Sequence, residues 1–273
     1  MLQLPGFLEG RIDGSPAKKK NRTDSRRKQR DWKRYRDSAG GGGGLGRDSL
    51  AVAGNAERSG RRYSGAGRKS DRSRGRPATW STIESAIDAA RKALGPIDIL
   101  LNNSGGPPPG GVLGVKPEVW ESQFRTMVLS LMRTTEMVIG DMRARKFGRI
   151  LNITSYIVLE PTPVLGISST LRSAIHGWAK TLAYEVARDG VTVNNLIPGV
   201  IATDRSLALA RATAERQGIS VEEAQKRTAQ SIPVGRMGTT EEFGAIAAFL
   251  ASPLAGYITG SVIRIDGGLI RAT

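Results

Sequence analysis

Few side chains in this sequence can do covalent or metal chemistry. Among 273 residues there is no cysteine and one histidine, His176. That excludes thiol catalysis, a disulfide scaffold and a Cys-bearing zinc site, and one imidazole makes a His-based metal site or a Ser-His-Asp triad improbable. What remains is hydroxyls, amides and guanidiniums beside glycines. They stand at Asn102-Asn103-Ser104-Gly105-Gly106, at Ser155 after Asn152-Ile153-Thr154, and at Pro198-Gly199-Val200-Ile201-Ala202-Thr203. Such groups orient a polar ligand through hydrogen bonds. His176 falls in an apolar-periodic stretch and reads as a structural or surface residue. Two glycine-rich stretches, Gly40 to Gly46 and Gly65-Ala66-Gly67-Arg68-Lys69-Ser70, miss the phosphate-loop pattern and read as composition.

The elements around those positions alternate. Ser81 with Glu84 has the spacing of a capping box. Ile83, Ala86, Ile87, Ala90 and Leu94 then recur at helical spacing until Gly95-Pro96. Ile97 to Leu101 is a short apolar strand. Trp120, Phe124, Val128, Leu131 and Val138 mark a long amphipathic helix, on which Met127, Met132, Met137 and Met142 read as packing. Arg149 to Thr154 is a strand, Ala174 to Val186 a helix, and Val191 to Ile197 a strand. Thr239 with Glu242 caps a helix to about Leu250, and Ser261 to Ile265 is a final strand. This alternation predicts an α/β fold with a doubly wound parallel sheet. Ligands on such sheets lie beyond the carboxyl ends of the strands. The loops after Leu101, Thr154 and Ile197 are therefore the candidate site.

The charge divides the chain in two. Of 41 basic and 25 acidic residues, residues 1–80 hold 21 and 8, a net of +13, while the remainder holds 20 and 17, a net of +3. Residues 1–79 form a basic Gly/Arg-rich segment with almost no apolar periodicity, a composition that cannot offset its ordering entropy by burial. Residues 80–273 form the ordered part. No apolar run approaches the ~20 residues of a membrane span, and the start lacks the basic and apolar regions of a secretory signal. A soluble, cytoplasmic protein is expected.

The strand-end residues carry a resemblance. Asn102-Asn103-Ser104-Gly105 resembles the NNAG motif of short-chain dehydrogenases/reductases, and Asn152-Ile153-Thr154-Ser155 resembles their serine strand. Asn194 with Pro198 to Thr203 looks like their nicotinamide loop, and Tyr257-Ile258-Thr259-Gly260 with Asp266-Gly267-Gly268 is similar to their C-terminal signature. Four motifs in order across residues 80–270 are specific together. The resemblance implies a Rossmann-type fold, NAD or NADP as cofactor, and hydride transfer between an alcohol and a carbonyl. It places Asn102, Ser104, Gly105, Arg172, Pro198, Gly199, Ile201 and Thr203 against the cofactor. It also implies a homodimer or homotetramer formed through the helices around 117–146 and 168–188, with Asp204 to Ser231 as a substrate lid.

The catalytic positions that the resemblance implies are altered. The family uses Asn, Ser, Tyr and Lys. Ser155 stands at the serine, Ser168 at the tyrosine, Arg172 at the lysine and Met127 at the asparagine. Serine is a far weaker acid than a phenol of pKa ~10, so Ser168 cannot take over proton transfer. Arg172 stays protonated and can fork onto ribose hydroxyls. Tyr156 is a possible displaced acid or a packing aromatic. Ser168 is alternatively a helix N-cap, and Ser155 an ordinary strand-end hydroxyl.

The family's TGxxxGxG turn is missing from residues 1–80. With permitted codons, Gln29 to Gly44 read one base out of register gives KGIGNGIATALAAEG, which resembles the end of that motif and its first helix. A compensated frameshift, restored near Thr79-Trp80, is one reading of the segment; a genuine basic extension is the other. Three functions follow: a reductase with an altered centre, a non-catalytic dinucleotide or ligand binder of the same fold, and a nucleic-acid binder using the basic arm. A small carbonyl or alcohol is the expected partner, nucleic acid is not, and no metal is expected.

Overall fold

In a computed structural model of the chain, residues 49–54 and 80–272 are described. The readings placed on residues 1–48 and 55–79, including the basic arm, lie outside the described residues. Five strands form one sheet: β1 (Ser49–Gly54), β2 (Ile97–Asn103), β3 (Gly148–Ile153), β4 (Val191–Pro198) and β5 (Val262–Ile265), in spatial order β1-β2-β3-β4-β5. From β2 to β5 every pairing is parallel. A helix lies between each successive pair from β2 onward, as a right-handed crossover sheet requires. This is the parallel α/β sheet expected from the alternation, and the Rossmann-type architecture that the resemblance implies.

One strand departs from expectation. The first 79 residues carried no strand signal, yet Ser49–Gly54 pairs with β2, and it does so antiparallel, Ser49 opposite Asn103 and Gly54 near Ile97. Its backbone pairs with the edge of β2 that would otherwise be left open.

The helices are α1 (Trp80–Leu94), α2 (Pro117–Phe124), α3 (Ser130–Ala144), α4 (Gly166–Val186), α5 (Asp204–Gln217), α6 (Val221–Gln230) and α7 (Thr240–Ala251). The capping box on α7 is present: Thr239 Oγ1 accepts from Glu242 N, and Glu242 accepts from Thr239 N. The box expected at Ser81 is not the start of α1. That helix already includes Trp80, and Glu84 instead faces Arg133 of α3 at 3.3 Å. The single long helix expected from Trp120 to Val138 is α2 and α3 joined through one π turn, Arg125–Leu129. Its wider turn buries Met127 and Val128 toward α4, where Ile167, Leu171 and Ile175, with Leu131 of α3, complete an apolar cluster.

Two faces of the sheet are packed unequally. On one, Ile97, Leu100, Ile150, Val191 and Val193 meet Ile87, Val138, Met142, Ala179, Ala183 and Val186 from α1, α3 and α4. On the other, Leu151 and Leu196 meet Leu250, Ala251 and Ala255, while Ile99 and Leu101 stay only partly buried. That thinner side is where a first βαβαβ half would place its helices.

Register is fixed by side chains as well as by backbone. Asn102, Asn152 and Asn195 are Cα partners across β2, β3 and β4. Asn102 Nδ2 donates to Asn152 Oδ1 (2.9 Å) and to Thr135 Oγ1 of α3 (3.1 Å), and Asn152 Nδ2 donates to Asn195 Oδ1 (3.1 Å). All three amides are buried. A buried amide needs such partners, and these hold three strand ends level at the carboxyl edge.

Candidate functional site

The loops that leave that edge come together around Arg172. This residue projects from the second turn of α4 and is 8% exposed. Its Nη1 donates to Ile153 O at the end of β3 (3.1 Å), and its Nη2 to Gly105 O (3.0 Å) and Ser104 O (3.5 Å) beyond β2. Its Nε donates to Ser168 Oγ one turn earlier (3.4 Å). A planar fork with five donors can span two loops in this way, whereas a single ammonium cannot. Burial, and then the nearby charge of Arg205, lower its pKa to about 10. It therefore remains a cation at neutral pH.

Arg205 reaches the same place from the first turn of α5. A Cβ added at Gly106 would lie 3.2 Å from Arg205 Nη2 and 3.9 Å from Arg172 Nη2. The side-chain-free backbone at Gly106 thus lets two guanidiniums approach one point. Among the described residues neither guanidinium has a carboxylate within 4.0 Å.

Ser155 is extended (φ −165°, ψ 155°), immediately after Thr154, and its side chain makes no cap bond to the following Tyr156–Val158 turn. Ser168 lies inside α4, whose N-cap is Leu165, so the capping role weighed for Ser168 is corrected: its hydroxyl accepts from Arg172 instead. Met127 is fully buried in apolar contacts, and no amide stands at that position. Tyr156 is half-buried. Burial, with Glu160 adding to it, raises its phenol pKa, the wrong direction for a displaced acid. His176 is one turn beyond Arg172. Its Nε2 lies 2.9 Å from Thr154 Oγ1, which also contacts Leu196 O, and burial lowers its pKa. It holds the end of β3 and takes a structural role.

The third loop is stitched tightly. Gly199 N donates to Ile265 O, and a Cβ at Gly199 would meet Asp266 Cα at 2.7 Å, so only glycine fits there. Gly238 N donates to Val200 O (3.0 Å) and Ala202 N to Gly238 O (2.8 Å), which closes the base of the segment carrying α5 and α6. Thr203 Oγ1 caps α5 by accepting from Ser206 N. Asn194, read with this loop from sequence, instead pins the C-terminal signature: its Nδ2 donates to Ile258 O and its Oδ1 accepts from Ser261 N.

The structure therefore brings Arg172, Ser168, Ser104 and Gly105 together. It commits the Asn102 amide to the ladder, behind the site rather than facing it. Arg205 and Gly106 were missed as site residues from sequence. The available signal for Arg205 was a basic residue two positions past Thr203, at a helix start where acidic residues are usual.

The nicotinamide end of a dinucleotide fits these residues: an open glycine strip, a forked cation and a loop closed by glycine. The pyrophosphate end is different. That group binds where a strand beside β2 turns into a helix N-terminus at the carboxyl edge. Here β1 runs the opposite way and presents Ser49, its first residue, at that edge.

Comparisons with known proteins agree with the geometry. The family model described as enoyl-(acyl carrier protein) reductase matches residues 78–270. The 3-oxoacyl-(acyl-carrier-protein) reductase FabG of Vibrio cholerae is 32% identical over 188 residues, covering 69% of this chain and 72% of that protein. Acetoacetyl-CoA reductase of Cupriavidus necator is 34% identical over 197 residues, covering 72% and 76%. Among solved structures, YwfH, an NADPH-dependent reductase involved in bacilysin biosynthesis, superimposes with a TM-score of 0.67 at 30% identity, covering 71% of this chain and 75% of that one. L-Sorbose reductase from Gluconobacter frateurii, solved with NADPH and L-sorbose, gives 0.67 at 27% identity, covering 71% and 74%. On its motifs, its fold and these matches, the chain belongs to the short-chain dehydrogenase/reductase family of NAD(P)-dependent oxidoreductases.

Proposed function

We propose that the chain is a carbonyl reductase of this family whose centre is built on Arg172, Ser155 and Ser168 rather than on a tyrosine–lysine pair. The observation that carries the reading is the buried Arg172 fork, which ties the ends of β2 and β3 together beside Ser155. NAD or NADP, when bound, supplies or accepts the hydride. Ser155 orients the carbonyl oxygen. Arg172, fixed and protonated, opposes the negative charge that develops on that oxygen, the preorganised electrostatic role that contributes most in such sites, and the alkoxide left by the hydride takes its proton from water. Ser168 receives the Arg172 Nε–H and sets the plane of the fork. Pro198, Gly199, Ile201 and Thr203 hold the nicotinamide side, with Ser104 and Gly105 opposite. The reverse reaction on an alcohol uses the same residues.

A second reading, a binder without turnover, is favoured by buried Met127 and by the raised phenol pKa of Tyr156. Titration with NADPH and NADH, followed by turnover over a carbonyl panel, separates the two. Saturable binding with slow turnover that falls roughly tenfold or more in Ser155→Ala supports the reductase. Binding with no turnover supports the binder. The exposed Phe124, Leu129 and Tyr184 on α2, the π turn and α4 support a homodimer or homotetramer through those helices, checked by light scattering. Among the described residues no helix is long and apolar enough to cross a membrane, and a cytoplasmic location is the reading we adopt, testable by fractionation.

A further inference from the structure

We infer that the site takes an anionic substrate, with a carboxylate or phosphate seated over Gly106 between the guanidiniums of Arg172 and Arg205. The inference deepens the reductase reading by naming its substrate class; the oxyanion seat itself does not require turnover.

Three observations carry it. First, two like charges converge on one point without a protein carboxylate beside them among the described residues. Such an approach is unfavourable unless an anion completes it, and the cost grows as water is removed. Second, the donors are incompletely used. Arg172 has five N–H groups and makes hydrogen bonds to four acceptors, Ile153 O, Gly105 O, Ser104 O and Ser168 Oγ. Arg205 is exposed on α5 and turned toward Gly106. Third, a polar group two residues before Gly106 is also unsatisfied: Ser104 is 7% exposed, and its Oγ has no hydrogen-bond partner among the described residues. Forked guanidiniums match planar oxyanions in bidentate fashion. A neutral ketone would leave the two charges beside Gly106 unmatched.

The test is calorimetric titration of the full chain with matched pairs: 2-oxobutanoate against its methyl ester, acetoacetate against methyl acetoacetate, and dihydroxyacetone phosphate against dihydroxyacetone. Each pair is run with and without NADPH. The acid or phosphate should bind roughly tenfold tighter or more than its neutral partner, and Arg205→Gln should remove that preference while Arg205→Lys keeps part of it. Arg205 is exposed, so circular dichroism should show both variants folded. Which anion binds better assigns the carboxylate or the phosphate. Acid binding without turnover would sink the reductase reading and leave the oxyanion seat standing. Equal binding of acid and ester, binding of neither at millimolar concentration, or an Arg205→Gln effect on NADPH affinity alone would overturn it.

Discussion

At the scale of single residues, Arg172 does what neither of the family's paired side chains can do alone. It is at once a charge and a brace. Arg172→Lys keeps the charge but cannot reach Ile153 O and Gly105 O together. Losing hydrogen bonds from a charged donor to buried carbonyls costs about 1–3 kcal/mol. The midpoint of urea unfolding should fall accordingly, although lysine is the family's own choice at this position. His176 gives a second residue-scale expectation. Burial holds its pKa below 6.5, so the unfolded chain takes up the proton first as pH falls. The stabilisation from neutral His176 is complete above about pH 6.5 and declines below it, toward the lower folded pKa. Unfolding midpoints at a series of pH values should show this loss, and His176→Gln should flatten that component.

At the scale of elements, the amide ladder links sequence to site. Asn152→Leu would remove both its donor and its acceptor and leave the amides of Asn102 and Asn195 with one partner fewer in a buried setting. With two buried groups affected at about 1–3 kcal/mol each, a loss of roughly 2–6 kcal/mol in unfolding free energy is expected. Hydrogen exchange should quicken first at the carboxyl ends of β2 to β4. These strands and α7 were legible because apolar period and cap chemistry are local: Gly95-Pro96 ends α1, and Thr239 with Glu242 starts α7. The motifs at the strand ends were legible for the same reason. The π turn was not, because its side chains keep a helical apolar pattern while only the backbone hydrogen bonding changes. Ser168 was ambiguous because serine suits both an N-cap and the acceptor of an arginine, and only the tertiary position of Arg172 decides between them. Arg205 carried only the weak signal of a basic residue at a helix start, because its neighbour in the site, Arg172, is distant in sequence.

At the scale of the whole molecule, the described residues pack three helices on one face of the parallel sheet and fewer on the other. Ile99 and Leu101 remain partly uncovered, and β1 lies at the edge in the direction that offers no phosphate turn. We propose that residues 1 to about 78 are read out of register with the rest. Resequencing the gene and reading all frames tests this: a second frame with a complete TGxxxGxG turn is the expected result, and its absence would refute the idea. A protein made from the restored frame should bind NADPH at least roughly tenfold more tightly than the present chain, since phosphate contacts dominate that gain. Fluorescence titration of the two proteins side by side measures it. The excess of positive charge in residues 1–80 then reflects the frame and not a partner.

The stitched base at Val200, Ala202 and Gly238 has a mechanical consequence. Reciprocal hydrogen bonds there make one clasp, and Val234 N donating to Gly267 O makes a second near the far end of the segment that carries α5 and α6. Behind the clasp, the asparagine ladder gives a sill that cannot slide. The segment between the two clasps is therefore anchored at both ends. Arg205 rides on that segment and Arg172 on the helix beside the sheet, so an anion at Gly106 would tie one to the other. The anion would serve as the latch.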